Sequence, residues 1–190
     1  MRNNSIDWAI FIITSLPLFF NARELKYTMK QYKSWIDDRY FFNAEEYKLY
    51  ADYCSDKICR LCYLDEYLFE YGYSLSQIGN IERSDSLLYE AVGISNNPNV
   101  LSLLGNNSLS QGKFREAEEY YKHAFYMVPN RLYPLTLLAK LYHTEGDTVR
   151  FLDMAEKVET FVPKVENANT ERLRAEIREI KEDYYLETLN

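Results

Sequence analysis

Apolar and small residues recur at intervals of three and four between residues 98 and 127, which is the spacing of one helix face. A first series comprises Leu101, Leu104, Gly105 and Ser108, and a second comprises Phe114, Ala117, Tyr121 and Ala124. Gly112 lies between the two series, and a residue without a Cβ readily adopts the left-handed turn that ends a helix. Pro129 follows the second series and cannot continue a helix. The pattern predicts two antiparallel helices whose small residues allow close packing.

The same pattern recurs along the chain at a nearly constant interval. Gly146 follows Gly112 by 34 residues, and Pro163 follows Pro129 by 34 residues. Gly79 precedes Gly112 by 33 residues. Helix pairs that recur in this way stack into a solenoid, because each pair buries an apolar face against the next. The sequence therefore predicts an all-α protein, an α-solenoid of antiparallel helix pairs over residues 65–97, 98–131 and 132–165. A divergent pair over 24–64, rich in Tyr and Trp, completes the predicted array of residues 24–168.

A helix that caps the array is predicted over residues 169–190. Its apolar positions, spaced four, three and four residues apart among Glu and Arg, are Leu173, Ile177, Ile180 and Tyr184. This spacing gives a helix with one apolar face and a charged outer face. Such a helix suits the end of a solenoid, where the last repeat otherwise exposes an apolar side.

The order of small, Gly, aromatic, Ala and Pro positions in residues 98–131 resembles the tetratricopeptide repeat. The resemblance extends to 65–97 and stays in register in 132–165, where the matching residues are Leu135, Leu138, Ala139, Tyr142, Gly146, Ala155 and Pro163. Thr148 and Phe151 depart from the usual aromatic residue and Ala, so we expect the second helix of 132–165 to pack differently. The resemblance implies a superhelix whose concave surface is lined by the first helix of each repeat.

The same resemblance implies a protein or peptide ligand in the concave groove. Carried over to this chain, the groove positions of that family are Glu66, Phe69, Tyr73, Gln77, Asn99, Ser102, Asn106, Ser110, Tyr133, Thr136, Lys140 and His143. Repeats that clamp a terminal carboxylate use several Lys, Arg and Asn, and only Asn106 and Lys140 match them, which argues against an acidic-tail ligand. For each position, the alternative is an exposed helix residue without a binding role.

The segment 1–23 is apolar, and we interpret it as the possible remnant of a transmembrane helix. Its apolar run, Trp8–Phe20, would extend about 20 Å as a helix, whereas a bilayer core is about 30 Å thick. A membrane-surface anchor and a helix packed on the domain are the alternatives to that remnant. We favour membrane association, and the basic residues Arg23, Lys26, Lys30 and Lys33 that follow the run favour an inner-membrane protein with a cytoplasmic repeat domain.

Composition and charge exclude several classes of function. The 190 residues carry a formal charge of −7, and residues 64–190 hold 21 acidic against 13 basic residues, so we expect no nucleic-acid partner. Cys54, Cys59 and Cys62 lack the fourth thiolate of an iron–sulfur site, so we expect no metal and interpret all three as buried small hydrophobes.

The candidate catalytic residues do not assemble into a known motif. Gly112-Lys113 is followed by Phe114 where a nucleotide-binding loop has Ser or Thr. His123 and His143 lie in different predicted repeats, with His123 expected on the surface. We therefore predict no catalytic residues, no cofactor and no enzyme activity.

A closer resemblance covers most of residues 25–180. The runs Met127–Leu135, Leu138–Tyr142, Pro163–Glu166 and Phe69–Gly72 resemble the C-terminal tetratricopeptide tails of bacterial O-antigen ligase/polymerase-like membrane proteins. In that family the ligase chemistry belongs to a multi-span membrane part. The resemblance implies a non-catalytic scaffold linked to surface-polysaccharide assembly, with a multi-span membrane protein as a possible partner. An accessory part of a ligase and a soluble cytoplasmic tetratricopeptide adaptor are the alternatives.

Overall fold

The computed structural model describes the backbone of residues 4–188 and the side chains of residues 22–184. Within that backbone the secondary structure is helical, and no strand is present. The helices are α1 (Asn4–Asn43), α2 (Tyr47–Ser55), α3 (Ile58–Leu61), α4 (Asp65–Gln77), α5 (Ile81–Ile94), α6 (Pro98–Ser110), α7 (Phe114–Met127), α8 (Tyr133–Glu145), α9 (Thr148–Thr160) and α10 (Ala168–Thr188). Among the described residues, none of these helices combines the length and the apolar character that crossing a membrane requires.

The chain divides into two compact units, Met1–Asn80 and Ile81–Asn190. The division falls inside the predicted repeat 65–97, so that α4 belongs to the first unit and α5 to the second. The predicted array boundary after residue 23 lies inside α1, which runs without a break to Asn43.

In the second unit, α6 and α7 form the predicted antiparallel pair, and small residues set their distance. Ala117, Tyr121 and Ala124 of α7 are fully buried. A Cβ on Gly105 would collide with the ring of Tyr121. Gly112 has φ +72° just after α6, a backbone conformation that side chains with a Cβ disfavour. The predicted buried face and the predicted turn are therefore confirmed.

The pair α8 and α9 repeats this arrangement with different side chains. Gly146 takes φ +79° after α8, as predicted from its register with Gly112. In α9, Phe151 and Ala155 are buried at 1% and 0% exposure. Phe151 therefore occupies the register position of Ala117, and Ala155 that of Tyr121, which is how α9 departs from α7.

Helix α10 covers the last pair with one apolar face. Leu173 and Ile177 are buried, and Ile180 packs against the same core. An ion pair joins Lys140 of α8 to Glu176, and another joins Lys181 to Glu159 of α9 at 3.2 Å. These contacts match the single-sided amphipathic helix that the sequence predicts.

The first unit is built around a buried network of aromatic and charged side chains. The indole N–H of Trp35 in α1 donates to the hydroxyl of Tyr50 at 2.7 Å, and that hydroxyl donates to the carboxylate of Glu70 at 2.5 Å. Arg39 pairs with Glu70 at 2.6 Å. The turn after α1 lacks a glycine, and Glu45 adopts φ +61° there. Because Glu45 takes the left-handed conformation that Gly takes in the later repeats, no glycine marks this turn in the sequence.

Candidate functional site

A cavity of about 680 Å³ lies in the second unit where α6, α8 and α10 begin. Its walls come from the first residues of these helices and from the two turns that precede α8 and α10. The lining residues are Pro98, Asn99, Ser102, Val128, Asn130, Arg131, Leu132, Tyr133, Pro134, Pro163, Lys164, Val165, Asn167, Asn169, Thr170, Arg172 and Leu173. The volume is within the range of about 300–1,000 Å³ that ligand pockets occupy.

Local capping interactions hold the starts of α6 and α10 in place. The side chain of Asn97 accepts a hydrogen bond from the backbone N–H of Asn99 at 3.0 Å, and Pro98 occupies the first turn of α6. Asn167 accepts in the same way from the backbone N–H groups of Asn169 and Thr170, both at 3.0 Å. Asn and Pro favour helix starts because the amide oxygen of Asn accepts from free N–H groups, while Pro has no backbone N–H and needs no acceptor. These walls of the cavity therefore follow from the local sequence.

The charged residues that line the cavity are all basic. They are Arg131, Lys164 and Arg172, in a protein whose formal charge is −7. Arg131 donates to the side-chain oxygen of Asn99 at 3.4 Å. Arg172 donates to that of Asn169 at 3.0 Å. Among the described residues, none of the three basic side chains forms an ion pair with a carboxylate.

The acidic residues nearest in sequence are held by a different arginine. Arg174 pairs with Glu166 at 2.7 Å and with Glu171 at 2.6 Å, and it also donates to the backbone oxygen of Phe161 at 2.8 Å. The hydrogen bond from Arg174 lowers the pKa of Glu166, which therefore stays ionised and engaged. Arg174 thus engages both Glu166 and Glu171, and neither of these carboxylates lines the cavity.

The predicted groove residues of the second unit divide between this cavity and other places. Asn99, Ser102 and Tyr133 line the cavity, although Ser102 is buried, with 3% of its surface exposed. The Ser102 hydroxyl donates to the backbone oxygen of Pro98 at 3.0 Å. Thr136 is fully buried, and its hydroxyl donates to the backbone oxygen of Tyr133 at 2.7 Å. The hydroxyls of Ser102 and Thr136 therefore serve the helix backbone.

The remaining predicted positions of this unit lie outside the cavity. Asn106 accepts from the Tyr121 hydroxyl at 2.8 Å, and the exposed Ser110 donates to the backbone oxygen of Asn107 at 2.7 Å. Lys140 pairs with Glu176. His143 is exposed, with its ring centroid 5.2 Å from that of Phe151. Lys140 and Asn106, the two residues that match the repeats which clamp a terminal carboxylate, are thus engaged with partners inside the protein.

The predicted groove residues of the first unit lie on α4. Glu66 is exposed and accepts from Arg39 at 2.9 Å, and Gln77 is exposed at the end of the helix. Phe69 and Tyr73 are half-buried and contact each other with ring centroids 6.3 Å apart. These residues form a polar and aromatic surface of α4.

The cysteine and histidine predictions have mixed outcomes. Cys54 is buried, and burial raises the pKa of its thiol to about 12. Cys59 and Cys62 are exposed, so their interpretation as buried hydrophobes is wrong. They lie in and directly after α3, a single turn of helix whose buried side chain is Leu61, so Cys59 and Cys62 are left at the surface. His123 is exposed, as expected. Across the described side chains, no three His, Cys, Asp or Glu residues converge as a metal site requires.

Part of the basic cavity could have been recognised in the sequence, although Arg131 and Lys164 are not among the predicted groove positions. Pro129 and Pro163 are one repeat apart, and each is followed within two residues by a basic side chain, Arg131 or Lys164. The backbone N–H of Lys164 donates to the oxygen of Asn130 at 3.5 Å, which ties the two turns together. Arg172, on the first turns of α10, completes the basic set.

Comparison with known proteins agrees with this architecture. Residues 98–131 match the family model of the tetratricopeptide repeat. A search of the curated proteins finds no match. Residues 98–131 are therefore similar to a tetratricopeptide repeat, and the solved structures that the chain resembles are tetratricopeptide proteins.

Three of these neighbours show the extent of the likeness. A MamA structure (residue 41 to the end) from Desulfovibrio magneticus RS-1 is 13% identical, covers 82% of this chain and 88% of its own, and has a TM-score of 0.61. PilF of Pseudomonas aeruginosa is 18% identical, with 93% and 85% covered and a TM-score of 0.58. Cut9, from the APC/C heterotetramer Cut9–Hcn1, is 14% identical, with 79% and 30% covered and a TM-score of 0.63. At these identities the likeness shows the fold, an α-solenoid of the tetratricopeptide type.

Proposed function

We propose that this chain is a non-catalytic scaffold that binds a protein partner, and that an acidic peptide segment of the partner occupies the cavity of the second unit. The tetratricopeptide-type fold is one that serves protein interaction. The observation that carries the proposal is the set of Arg131, Lys164 and Arg172 around one cavity, which have no carboxylate partner among the described residues. Guanidinium and ammonium groups form strong, charge-assisted hydrogen bonds with carboxylates.

The other lining residues favour a peptide over a small inorganic anion. Four asparagines, Asn99, Asn130, Asn167 and Asn169, bring side-chain amide N–H donors to the cavity, which can serve the carbonyl groups of an extended peptide. Val128, Leu132, Val165 and Leu173 add an apolar wall beside them. We therefore expect a segment that combines at least one Asp or Glu with an apolar side chain.

Selection from random displayed peptides tests this proposal directly. We expect the wild-type chain to enrich peptides that contain Asp or Glu next to apolar residues. The triple variant Arg131→Glu, Lys164→Glu and Arg172→Glu should lose that enrichment. A control with the same charge change, Lys113→Glu, Arg115→Glu and Arg178→Glu, replaces exposed residues outside the cavity and should keep it. Enrichment that is equal in both triple variants would contradict the proposal.

We further propose that the scaffold acts at the inner membrane, with the repeat domain on the cytoplasmic side, in the assembly of surface polysaccharide. The apolar run Trp8–Phe20 and the basic residues that follow it support the membrane part of this proposal. The side chains of residues 8–20 lie outside the described part of the structure. The resemblance of residues 25–180 to O-antigen ligase tails supports the link to polysaccharide.

Fractionation of cells that express the chain tests the membrane proposal. We expect the protein to remain in the membrane pellet after carbonate extraction and to co-purify with a multi-span membrane protein. Release into the soluble fraction would instead favour a soluble tetratricopeptide adaptor. Loss of ligase activity on removal of this chain would favour an accessory part of a ligase.

A further inference from the structure

Helix α1 exposes a continuous apolar stripe. Its members are Leu25, Met29, Tyr32, Ile36 and Tyr40, which are 63%, 63%, 44%, 40% and 70% exposed. They follow one another at intervals of four, three, four and four residues, so they share one side of the helix. Single exposed apolar residues are ordinary on a protein surface, whereas a contiguous set marks an interaction site.

A basic stripe runs beside the apolar one. Its members, Arg23, Lys26, Lys30 and Lys33, follow at intervals of three, four and three and are all exposed. At about 100° per residue, the centre of this stripe lies roughly 100° around the helix from the apolar one. Within residues 22–184, none of these four side chains forms an ion pair. The stripe ends at Asp37, the first acidic residue on that side of the helix.

The opposite side of α1 is fixed to the first unit. Trp35 is 1% exposed and packs edge-on against Tyr67, with ring centroids 5.8 Å apart. Asp38 forms an ion pair with Lys57 of the same unit at 2.8 Å. Because these contacts hold the inner side, the apolar and basic stripes are presented together on the outer side.

A cavity of about 570 Å³ lies at the beginning of the basic stripe. It is lined by Arg23, Glu24, Lys26, Tyr27, Lys30 and Arg60. Glu24, its acidic member, already forms an ion pair with Arg60, whose guanidinium lies 5.3 Å from the ring centroid of Tyr27. Arg23, Lys26 and Lys30 therefore remain available to an anion of the size of a lipid phosphate.

We propose that this outer side of α1 lies on an anionic lipid bilayer, with the apolar stripe in the interface and the basic stripe on the lipid phosphates. A helix with adjacent apolar and basic faces binds in this way, and its affinity depends on anionic lipid. A second copy of the chain is a poorer occupant, because it would bring the same four cations against this surface. The inference rests on the proposed membrane association but uses residues other than Trp8–Phe20.

Flotation of the full chain with lipid vesicles tests this inference. We expect it to bind vesicles of phosphatidylcholine mixed with phosphatidylglycerol more tightly than vesicles of phosphatidylcholine alone, and salt should reduce the difference. The double variant Lys26→Gln with Lys30→Gln should weaken partitioning onto the anionic vesicles about 25-fold, because each basic residue near such a surface strengthens binding about fivefold. The control Lys48→Gln with Lys113→Gln removes the same charge from exposed positions elsewhere and should have little effect.

The variants separate the possible outcomes. Leu25→Gln with Met29→Gln should also weaken vesicle binding, because it removes apolar area from the stripe. This inference would be overturned if vesicle binding did not depend on phosphatidylglycerol and were unchanged in both α1 variants, but were lost in Ile12→Gln with Ile13→Gln. That result would still support the proposed membrane association. If the wild-type chain bound no vesicles, both this inference and the proposed membrane association would be contradicted. A dimer in solution that Leu25→Gln with Met29→Gln dissociates would assign the surface to a second copy and overturn the inference.

Discussion

The helix pairs α6–α7 and α8–α9 share one register but distribute their side-chain volume differently. In α7 the small residue Ala117 comes first and the large Tyr121 follows one turn later. In α9 the order is reversed, because the large Phe151 comes first and the small Ala155 follows. Each pair thus places one large and one small residue against its partner helix. The comparison shows that the repeat requires a filled interface, and that either order of volumes fills it.

The first helix of each pair reflects the same reversal. Gly105 in α6 faces the Tyr121 ring, which leaves no room for a Cβ. The equivalent position in α8 is Ala139, which is fully buried. There the position in register with Tyr121 is the small Ala155, so that a methyl group is accommodated. The residue at this position is therefore set by the partner helix.

The largest expected effect comes from removing the large residue of the second pair. Phe151→Ala should lower the free energy of unfolding by about 3–5 kcal/mol, because it leaves a cavity between α8 and α9. Urea denaturation measures this loss. His143→Ala removes an exposed ring that contacts the same Phe and should change stability by less than about 0.5 kcal/mol. Equal losses in the two variants would contradict the assigned core.

A large residue in the place of the small one should break the first pair. Ala117→Leu, and likewise Ala124→Leu, should cost about 1–3 kcal/mol, because the α6–α7 interface is already filled. Thermal unfolding checks both variants. Glu119→Leu places the same side chain on the exposed side of α7 and serves as the control. Unchanged melting temperatures in both Ala variants would mean that the buried face is wrong.

Exchanging the residues at the equivalent first-helix position sharpens the comparison. Gly105→Ala should lose about 1 kcal/mol, because the collision with Tyr121 exceeds the gain of about 1 kcal/mol in helix propensity. Ala139→Gly should lose about 1–2 kcal/mol, through lower helix propensity and the loss of a buried methyl group. A double-mutant cycle with Tyr121→Leu separates the two causes, since only Gly105→Ala should couple to it. Stabilisation by Gly105→Ala would contradict the close approach.

The smallest expected effect concerns a polar link between the pairs. Glu118 of α7 accepts from Tyr142 of α8 at 2.8 Å and pairs with Arg150 of α9 at 3.3 Å. Burial opposes its ionisation, but hydrogen bonds from Lys122 and Tyr142 outweigh burial and lower the pKa of Glu118 below its usual 4.5.

The lowered pKa of Glu118 fixes the sign of a pH dependence. Its contribution to stability is complete above about pH 4.5 and is lost as the pH falls through the lowered pKa. Glu118→Gln should reduce stability at neutral pH by less than about 1 kcal/mol and flatten this acid limb. Asp153→Asn, at an exposed ion pair with Lys157, is the control. Acid unfolding curves that coincide for wild type and Glu118→Gln would contradict the link.

Local residue types predicted much of the second unit. Gly112 and Gly146 specify turns because the left-handed backbone disfavours a Cβ. The turn between α1 and α2 has no such signal, since Glu45 adopts the left-handed conformation there without being glycine. The twelve groove positions carried over from the repeat family remain a prediction. Ser102 and Thr136, however, proved buried among them, because their hydroxyls satisfy backbone oxygens of their own helices.

The helical period, the turns and the small residues at helix contacts can be predicted from the amino-acid sequence, because they depend on residues that lie one helical turn or one repeat apart. Which charges remain without an opposite partner among the described residues depends instead on how the helices pack. Arg131, Lys164 and Arg172 come from three separate segments and surround one cavity, while Arg174, two residues after Arg172, takes up the neighbouring carboxylates. Linear spacing does not distinguish Arg172 from Arg174. Their different roles arise because the two side chains point from α10 toward different neighbours.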